Sequence, residues 1–145
     1  MGGDEYRGNV VWIWWHHIVS YGETDGMKVV YYGNYLHWFE QARSNFLREM
    51  GHSYLEIEQR GIMLPVVEAH VRYLHPARYE DRVGVKTAIT QWGRASLTFE
   101  YEIYLLFPSE KRELITTGWT RHACVSSSGR PVKVPSWLKE MVLSR

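Results

Sequence analysis

Apolar residues recur with two different periods along the chain. Over residues 34–50 they return at every third or fourth position, as Tyr35, Phe39, Ala42, Phe46 and Met50. This spacing predicts one amphipathic helix with a continuous apolar face. Asn34 is a favoured N-cap residue at its start, and Gly51 is a favoured stop at its end.

From Ile62 onward the period changes to two, which is typical of strands. The clearest case is residues 97–107, where large apolar side chains alternate with polar ones. The pattern predicts strands over 10–22, 62–75, 83–89, 97–107 and 113–126, a turn at 91–94, and short helices over 53–60 and after Pro135.

The order of these elements predicts an α+β fold. Successive strands with short connections pair antiparallel, and the apolar face of a single long helix needs a sheet to cover it. We therefore expect an antiparallel sheet of about five strands wrapped around one central helix. A length of 145 residues suits one domain, 1–145, of which the Gly-rich, charged residues 1–9 are predicted to be disordered.

Charge and cysteine content restrict the possible partners and location. A net charge of +1 gives no electrostatic case for nucleic acid or an anionic membrane, and the apolar run 10–15 is too short to span a bilayer. Cys124 is the single cysteine, so no disulfide can form within the chain. We expect Cys124 to be a buried thiol and the protein to be cytoplasmic, without membrane insertion.

The candidate chemistry is concentrated between residues 21 and 43. Asp25 lies in an acidic turn shortly before the predicted helix, whose first N–H groups are unpaired and carry partial positive charge. Such donors can stabilise an oxyanion while a carboxylate attacks a carbonyl or deprotonates water. The alternative for Asp25 is a turn residue that hydrogen-bonds its own backbone. The histidine spacings predict no metal site, and neither a serine elbow nor a phosphate loop is present.

The same stretch resembles the signature of the 4-hydroxybenzoyl-CoA thioesterase family, which includes the small acyl-CoA thioesterases of the Tol–Pal type. The similarity lies in the blocks Glu23-Thr24-Asp25, Val29-Val30-Tyr31-Tyr32, Asn34-Tyr35-Leu36 and Phe39-Glu40-Gln41-Ala42-Arg43. It implies a hot-dog fold, a homodimer or homotetramer, an acyl-CoA substrate and no cofactor. It also implies that Asp25 is the nucleophile or general base, and that the backbone N–H of Tyr32 polarises the thioester carbonyl. Glu23 matches a position that is often acidic but not catalytic; if it shared a site with Asp25, one of the two pKa values would rise.

Lys28 departs from the family pattern, which has glycine at this position. The loop either follows another path or accepts lysine, whose ammonium could then stabilise Asp25 or meet a phosphate of the carrier. We count Lys28, Tyr31 and Asn34 as candidate substrate-binding residues. Glu40 and Arg43 are three residues apart on the helix and could pair with each other or across an interface.

Basic side chains around the middle sheet are candidates for the phosphates of CoA as a group, although each one alone is more typical of a solvated surface. The candidate phosphate-binding residues are Arg72, Arg78 and Arg94. Two alternatives stay open: a thioesterase that acts on acyl groups bound to a carrier protein, and a non-catalytic acyl-CoA-binding protein. A dehydratase would need a catalytic histidine, and His37 is poorly placed for that role.

Overall fold

The computed structural model describes residues 10–107 and 112–144. Residues 1–9, predicted to be disordered, lie outside this part of the chain. The helices are α1 (Gly33–Met50), α2 (Tyr54–Gln59) and α3 (Ser136–Leu143), with a 3-10 helix at Tyr21–Glu23. The strands are β1 (Ile13–Ile18), β2 (Ile62–Met63), β3 (Val66–Tyr73), β4 (Arg82–Trp92), β5 (Ser96–Phe107), β6 (Glu113–Ala123) and β7 (Val125–Ser126).

Five strands form one antiparallel sheet in the order β1-β4-β5-β6-β3, and β2 pairs separately with β7. Because β4, β5 and β6 are consecutive neighbours, the centre of the sheet is a meander. This confirms the predicted α+β architecture. None of the helices in the described residues is long and apolar enough to cross a membrane.

The sheet packs against one face of α1 through aromatic contacts. Phe39 stacks on Tyr101 of β5, with ring centroids 4.0 Å apart and planes 4° from parallel. A Cβ atom at Gly118 of β6 would come within 2.6 Å of the Phe39 ring, so glycine is what allows the helix to approach the sheet this closely. The buried face of α1 contains the predicted stripe together with Trp38, which the prediction missed and which is fully buried.

Several predicted boundaries are wrong. The first strand ends at Ile18, because the chain turns into the 3-10 helix. The predicted turn at 91–94 begins too early, since Gln91 and Trp92 still pair with β5. The predicted strand 113–126 is split after Ala123. The predicted strand 62–75 is divided into β2 and β3. Cys124 lies between β6 and β7 and is buried, as expected, and burial raises the pKa of its thiol.

β3 forms one edge of the sheet and is exposed over most of its length. Val67 is 52% exposed, and Val66 and Tyr73 are also exposed. Within the described residues, β6 is the only strand that pairs with it. A long edge strand with apolar side chains is a template for pairing with another chain.

Candidate active site

The loop between β1 and α1 folds back on itself as a short antiparallel ladder. The Tyr31 N–H donates to the Glu23 carbonyl (3.0 Å), Thr24 and Val30 form a bridge, and the Asp25 N–H donates to the Val29 carbonyl (2.9 Å). The loop is also fixed to the segment before β4, because the Val30 N–H donates to the Ala77 carbonyl. The ladder therefore holds Asp25 at its tip and the residues that precede α1 at its base.

Asp25 is exposed at this tip. Its Oδ1 accepts a hydrogen bond from the Met27 N–H at 2.8 Å, which is the turn predicted as the structural alternative. Its Oδ2 accepts no hydrogen bond from any residue that the structure describes. One oxygen is therefore held by the turn, and the other has no partner within the described part of the chain.

The backbone of Lys28 shows how the loop accepts lysine at a position where the family pattern has glycine. Its φ is +66°, in the left-handed region that glycine adopts most easily. The Lys28 N–H donates to the Asp25 carbonyl at 3.0 Å, which closes the turn. Lysine thus adopts the left-handed conformation itself, and this backbone strain is located directly beside the candidate carboxylate.

The start of α1 supplies the candidate oxyanion donors. Tyr32 occupies the N-cap position and is 66% exposed, and α1 begins at Gly33. Within residues 10–107 and 112–144, neither the Tyr32 N–H nor the Gly33 N–H donates a hydrogen bond, as is normal at a helix N-terminus. Tyr31 covers Gly33 with its ring, since a Cβ atom at Gly33 would come within 3.1 Å of it.

Asn34 is not the N-cap, contrary to prediction. It lies inside the first turn of α1, and its Nδ2 donates to the Glu23 carbonyl at 2.9 Å. Its side chain therefore fixes the loop to the helix.

Glu23 is the most extensively bonded residue of the loop. Its carboxylate contacts His17 Nε2 at 2.8 and 2.9 Å, and it accepts hydrogen bonds from the Ser20 N–H (2.8 Å) and from Trp38 Nε1 (2.7 Å). Burial acts to raise its pKa, but the hydrogen bonds from Ser20, Trp38 and His17 outweigh burial and lower it. A raised Glu23 pKa from a site shared with Asp25 is therefore not found. The Ser20-x-x-Glu23 spacing, an N-terminal capping signal, could have revealed this role from sequence.

The three candidate arginines lie in different places. The Arg78 backbone bridges to Val29 of the loop, so Arg78 is at the Asp25 end of the molecule. Arg72 is exposed on β3, next to Tyr73, whose hydroxyl donates to the Tyr32 carbonyl at 3.4 Å. Arg94 follows the other end of β4. The strand has eleven residues and is therefore about 35 Å long, which separates Arg94 from the end of the sheet near the loop. One chain therefore does not bring Arg94 to Asp25.

Sequence reasoning also missed a buried polar chain beneath the middle of α1. Arg43 does not pair with Glu40; its Nη1 donates to the Tyr101 hydroxyl at 3.0 Å, while Glu40 contacts His37 at 3.3 Å. From Tyr101 the chain continues to Thr120 Oγ1 (2.6 Å), His122 Nε2 (2.8 Å) and, through His122 Nδ1, the Leu64 carbonyl (2.9 Å). A carbonyl can only accept, so Nδ1 carries the proton and Nε2 accepts from Thr120. Burial lowers the pKa of His122 to about 4, which keeps its ring neutral.

A central helix packed against a five-stranded antiparallel sheet, with an exposed carboxylate on the loop that precedes the helix, is the architecture of a hot-dog thioesterase domain. Comparison with known proteins agrees: the profile of the Thioesterase-like superfamily matches residues 19–142. The chain therefore belongs to this superfamily and is a thioester hydrolase.

Individual relatives cover most of the chain. YneP of Bacillus subtilis (strain 168) is 32% identical over 124 residues, 82% of this chain and 87% of that protein. The crystal structure of DHNA-CoA thioesterase from Staphylococcus aureus has a TM-score of 0.79 and 34% identity, covering 88% of this chain and 87% of that one. The 4-hydroxybenzoyl CoA thioesterase from Pseudomonas sp. strain CBS-3 shares the fold, with a TM-score of 0.82 and 23% identity over 90% of this chain and 98% of that one.

Proposed function

We propose that this protein hydrolyses acyl-CoA thioesters, with Asp25 as nucleophile or general base and the Tyr32 N–H as oxyanion donor. The observation that carries the proposal is the loop itself. It holds an exposed carboxylate and the free N–H groups at the start of α1 on one short antiparallel ladder.

Two routes satisfy this geometry. In one, Asp25 Oδ2 attacks the thioester carbonyl, the C–S bond breaks to release the CoA thiolate, and water hydrolyses the resulting anhydride. In the other, Asp25 removes a proton from water, which attacks the same carbonyl, and the proton passes to the leaving sulfur. In both, negative charge develops on the carbonyl oxygen, where the N–H groups of Tyr32 and Gly33 and the helix dipole stabilise it.

The active unit in this proposal is a pair of chains joined through β3. The exposed edge with Val66, Val67 and Tyr73 supports this arrangement. A two-fold axis at the strand would pair the two copies of β3 antiparallel. Tyr73 of one copy would then lie beside Val66 of the other.

This arrangement would also bring basic groups to the catalytic end. Tyr73 is close to the start of α1, with its ring centroid 4.8 Å from that of Tyr32. The other end of β3 is close to the turn between β4 and β5, because Ala123 bonds to Pro65 and pairs with Ser96. The Arg94 turn of the second copy would therefore approach Asp25 of the first. There Arg94 lines a cavity of about 690 Å³ with Lys133 and Lys139, which suits the phosphates of CoA.

The principal test is Asp25→Asn. It should lower kcat at least ~100-fold, the scale of removing an acid–base group. The assay is thiol release from a panel of short-chain and aryl acyl-CoA substrates. Asp81→Asn, a carboxylate in the turn before β4, is the matched control and should keep near-wild-type turnover. Near-wild-type turnover of Asp25→Asn on every substrate would refute the proposal, and faster release from the same acyl group on a carrier protein would redirect it to that carrier.

The shared site has its own test. Val67→Glu puts a charge on the exposed edge of β3, and Leu55→Glu puts the same charge on the exposed face of α2. Only Val67→Glu should lower both the molecular mass of the assembly, measured by sedimentation, and the kcat. A monomeric variant with full activity would show that one chain suffices.

A further inference from the structure

Glu23 has no role in the reaction as described so far, yet it makes more contacts than any other residue of the loop. Its side chain joins three elements. His17 lies on β1, Ser20 precedes the 3-10 helix, and Trp38 is on the buried face of α1. The carboxylate is therefore a fixed point between the sheet and the helix.

The backbone of the same residue holds the other side of the loop. The Glu23 carbonyl accepts from the Tyr31 N–H at 3.0 Å and from Asn34 Nδ2 at 2.9 Å. Tyr31 is adjacent to Tyr32, the proposed oxyanion donor, and Glu23 is two residues from Asp25. Both groups of the proposed reaction are thus fixed relative to this one residue.

We propose that Glu23 is a positioning residue: it sets the separation between the Asp25 carboxylate and the N–H groups at the start of α1. This inference rests on the proposed function, because it acts through the two groups named there. The physical reason is orientation. An error of about 1 Å in the placement of reacting groups can lower a rate on the order of 100-fold.

The contacts also explain why the side chain is a carboxylate. Ser20 N–H, Ser20 Oγ–H and Trp38 Nε1–H all donate to it, and His17 Nε2 contacts both of its oxygens. An ionised carboxylate only accepts, so it can satisfy all of these groups together. Glutamine would direct an NH₂ donor at one of the donors and leave that group unpaired.

A general structural role is the rival explanation, and the chain contains a matched control for it. Glu56 accepts from the Ser53 N–H at 3.0 Å and contacts His52, as Glu23 does with Ser20 and His17. The pKa of Glu56 is also lowered, mainly by the Ser53 hydrogen bond. Glu56 lies on α2, apart from the Asp25 loop.

The test compares Glu23→Gln with Glu56→Gln by kcat, KM and thermal unfolding, on the acyl-CoA that wild type hydrolyses fastest. Glu23→Gln should lower kcat about 10- to 100-fold with KM changed less than about threefold. Glu56→Gln should leave both constants unchanged. Equal kcat values for the two variants would overturn the positioning role.

Asn34→Ala keeps the test decisive if Glu23→Gln does not fold. It removes the bond to the Glu23 carbonyl without touching the core, and it should also lower kcat rather than raise KM. A raised KM with unchanged kcat would instead make Asn34 a substrate-binding residue and count against the proposal.

Asp25→Asn, measured in parallel, separates this inference from the proposed function. If Asp25→Asn is inactive and Glu23→Gln matches Glu56→Gln, only the positioning role is wrong. If Asp25→Asn retains full activity, the proposed function is wrong, and a loss in Glu23→Gln could then not be assigned to positioning.

Discussion

The Asp25 loop and the polar chain beneath α1 both concentrate hydrogen-bonding groups. The groups of the polar chain are paired with one another, whereas some groups of the loop have no partner in the part of the chain that the structure describes. In the polar chain, Arg43, Tyr101, Thr120 and His122 each bond to the next member, and all but Arg43 are buried. In the loop, Asp25 Oδ2 and the Tyr32 N–H have no hydrogen-bond partner among the described residues, and both residues are exposed.

The difference follows from solvation. A buried polar group without a partner costs about 1–3 kcal/mol, so the polar chain has to be complete for the fold to be stable. In the loop, water can occupy the free positions, because both residues are exposed. We therefore expect changes in the polar chain to affect stability more than activity, and changes in the loop to do the reverse.

The largest expected effect on stability is the pH dependence caused by His122. Its pKa is about 4 in the folded protein against an ordinary 6.5. Between these values the unfolded chain binds a proton that the folded chain does not, so stability is lost as pH falls from about 6.5 to about 4. The loss from this residue is at most about 3 kcal/mol.

His122→Gln should remove this contribution, because glutamine can bond to Thr120 and the Leu64 carbonyl without titrating. Urea unfolding of both proteins at several pH values measures it. The two stability curves should converge as the pH falls, and parallel curves over that range would contradict the assignment.

Tyr101→Phe should have the next largest effect. It keeps the ring stacked on Phe39 but leaves Arg43 and Thr120 without the hydroxyl between them. We expect a loss of about 1–3 kcal/mol in the free energy of unfolding, with kcat near wild type. Tyr79→Phe, at an exposed ring, is the control and should be nearly neutral. A large fall in kcat for Tyr101→Phe would break the contrast between the two regions.

Lys28→Gly should give a smaller change of opposite sign. A left-handed conformation costs a residue with a side chain roughly 1–2 kcal/mol, and the greater freedom of glycine in the unfolded chain cancels part of this gain. A net stabilisation of about 0.5–1 kcal/mol is expected in urea unfolding. Lys28→Ala removes the same charge but keeps the strained Cβ, so it should not be stabilising. Equal stability of the two variants would show that the strain is not significant.

Asp25→Asn should change stability least. Asparagine can keep the Oδ1 contact with the Met27 N–H, and no other described residue bonds to the carboxylate. The free energy of unfolding should stay within about 0.5 kcal/mol of wild type, the usual range for surface substitutions. A larger loss would mean that Asp25 supports the fold in addition to its proposed role in the reaction.

The fold was predictable because its signals are local and repeated. The period of α1 and the alternation over residues 97–107 each determine an element and its buried face. The errors fall where tertiary contacts decide. Asn34 was misassigned because its side chain bonds to a residue eleven positions away, and the bond from Trp38 to Glu23, fifteen positions away, was likewise not available from the local pattern.

The site was predictable in part. The identities of Asp25, Tyr32 and Lys28 were available from their order along the chain, although their catalytic and binding roles remain predictions. Their geometry was not available: the left-handed φ of Lys28 and the ladder from Glu23 to Tyr31 are properties of the folded loop. The positions of Arg78 near the loop and Arg94 at the far end follow only from strand order and length.

By itself, the sequence determined the elements, the helix-in-sheet architecture and the chemical groups available between residues 21 and 43, because these depend on local periodicity and residue type. Only the tertiary structure decided which polar groups are satisfied and which stay open. Hydrogen bonding joins residues that are distant in sequence, such as Glu23 with Trp38 and Arg43 with Tyr101. That pairing distinguishes Glu23, whose carboxylate is bonded to β1, the segment before the 3-10 helix and α1, from Asp25, whose Oδ2 has no partner among the described residues.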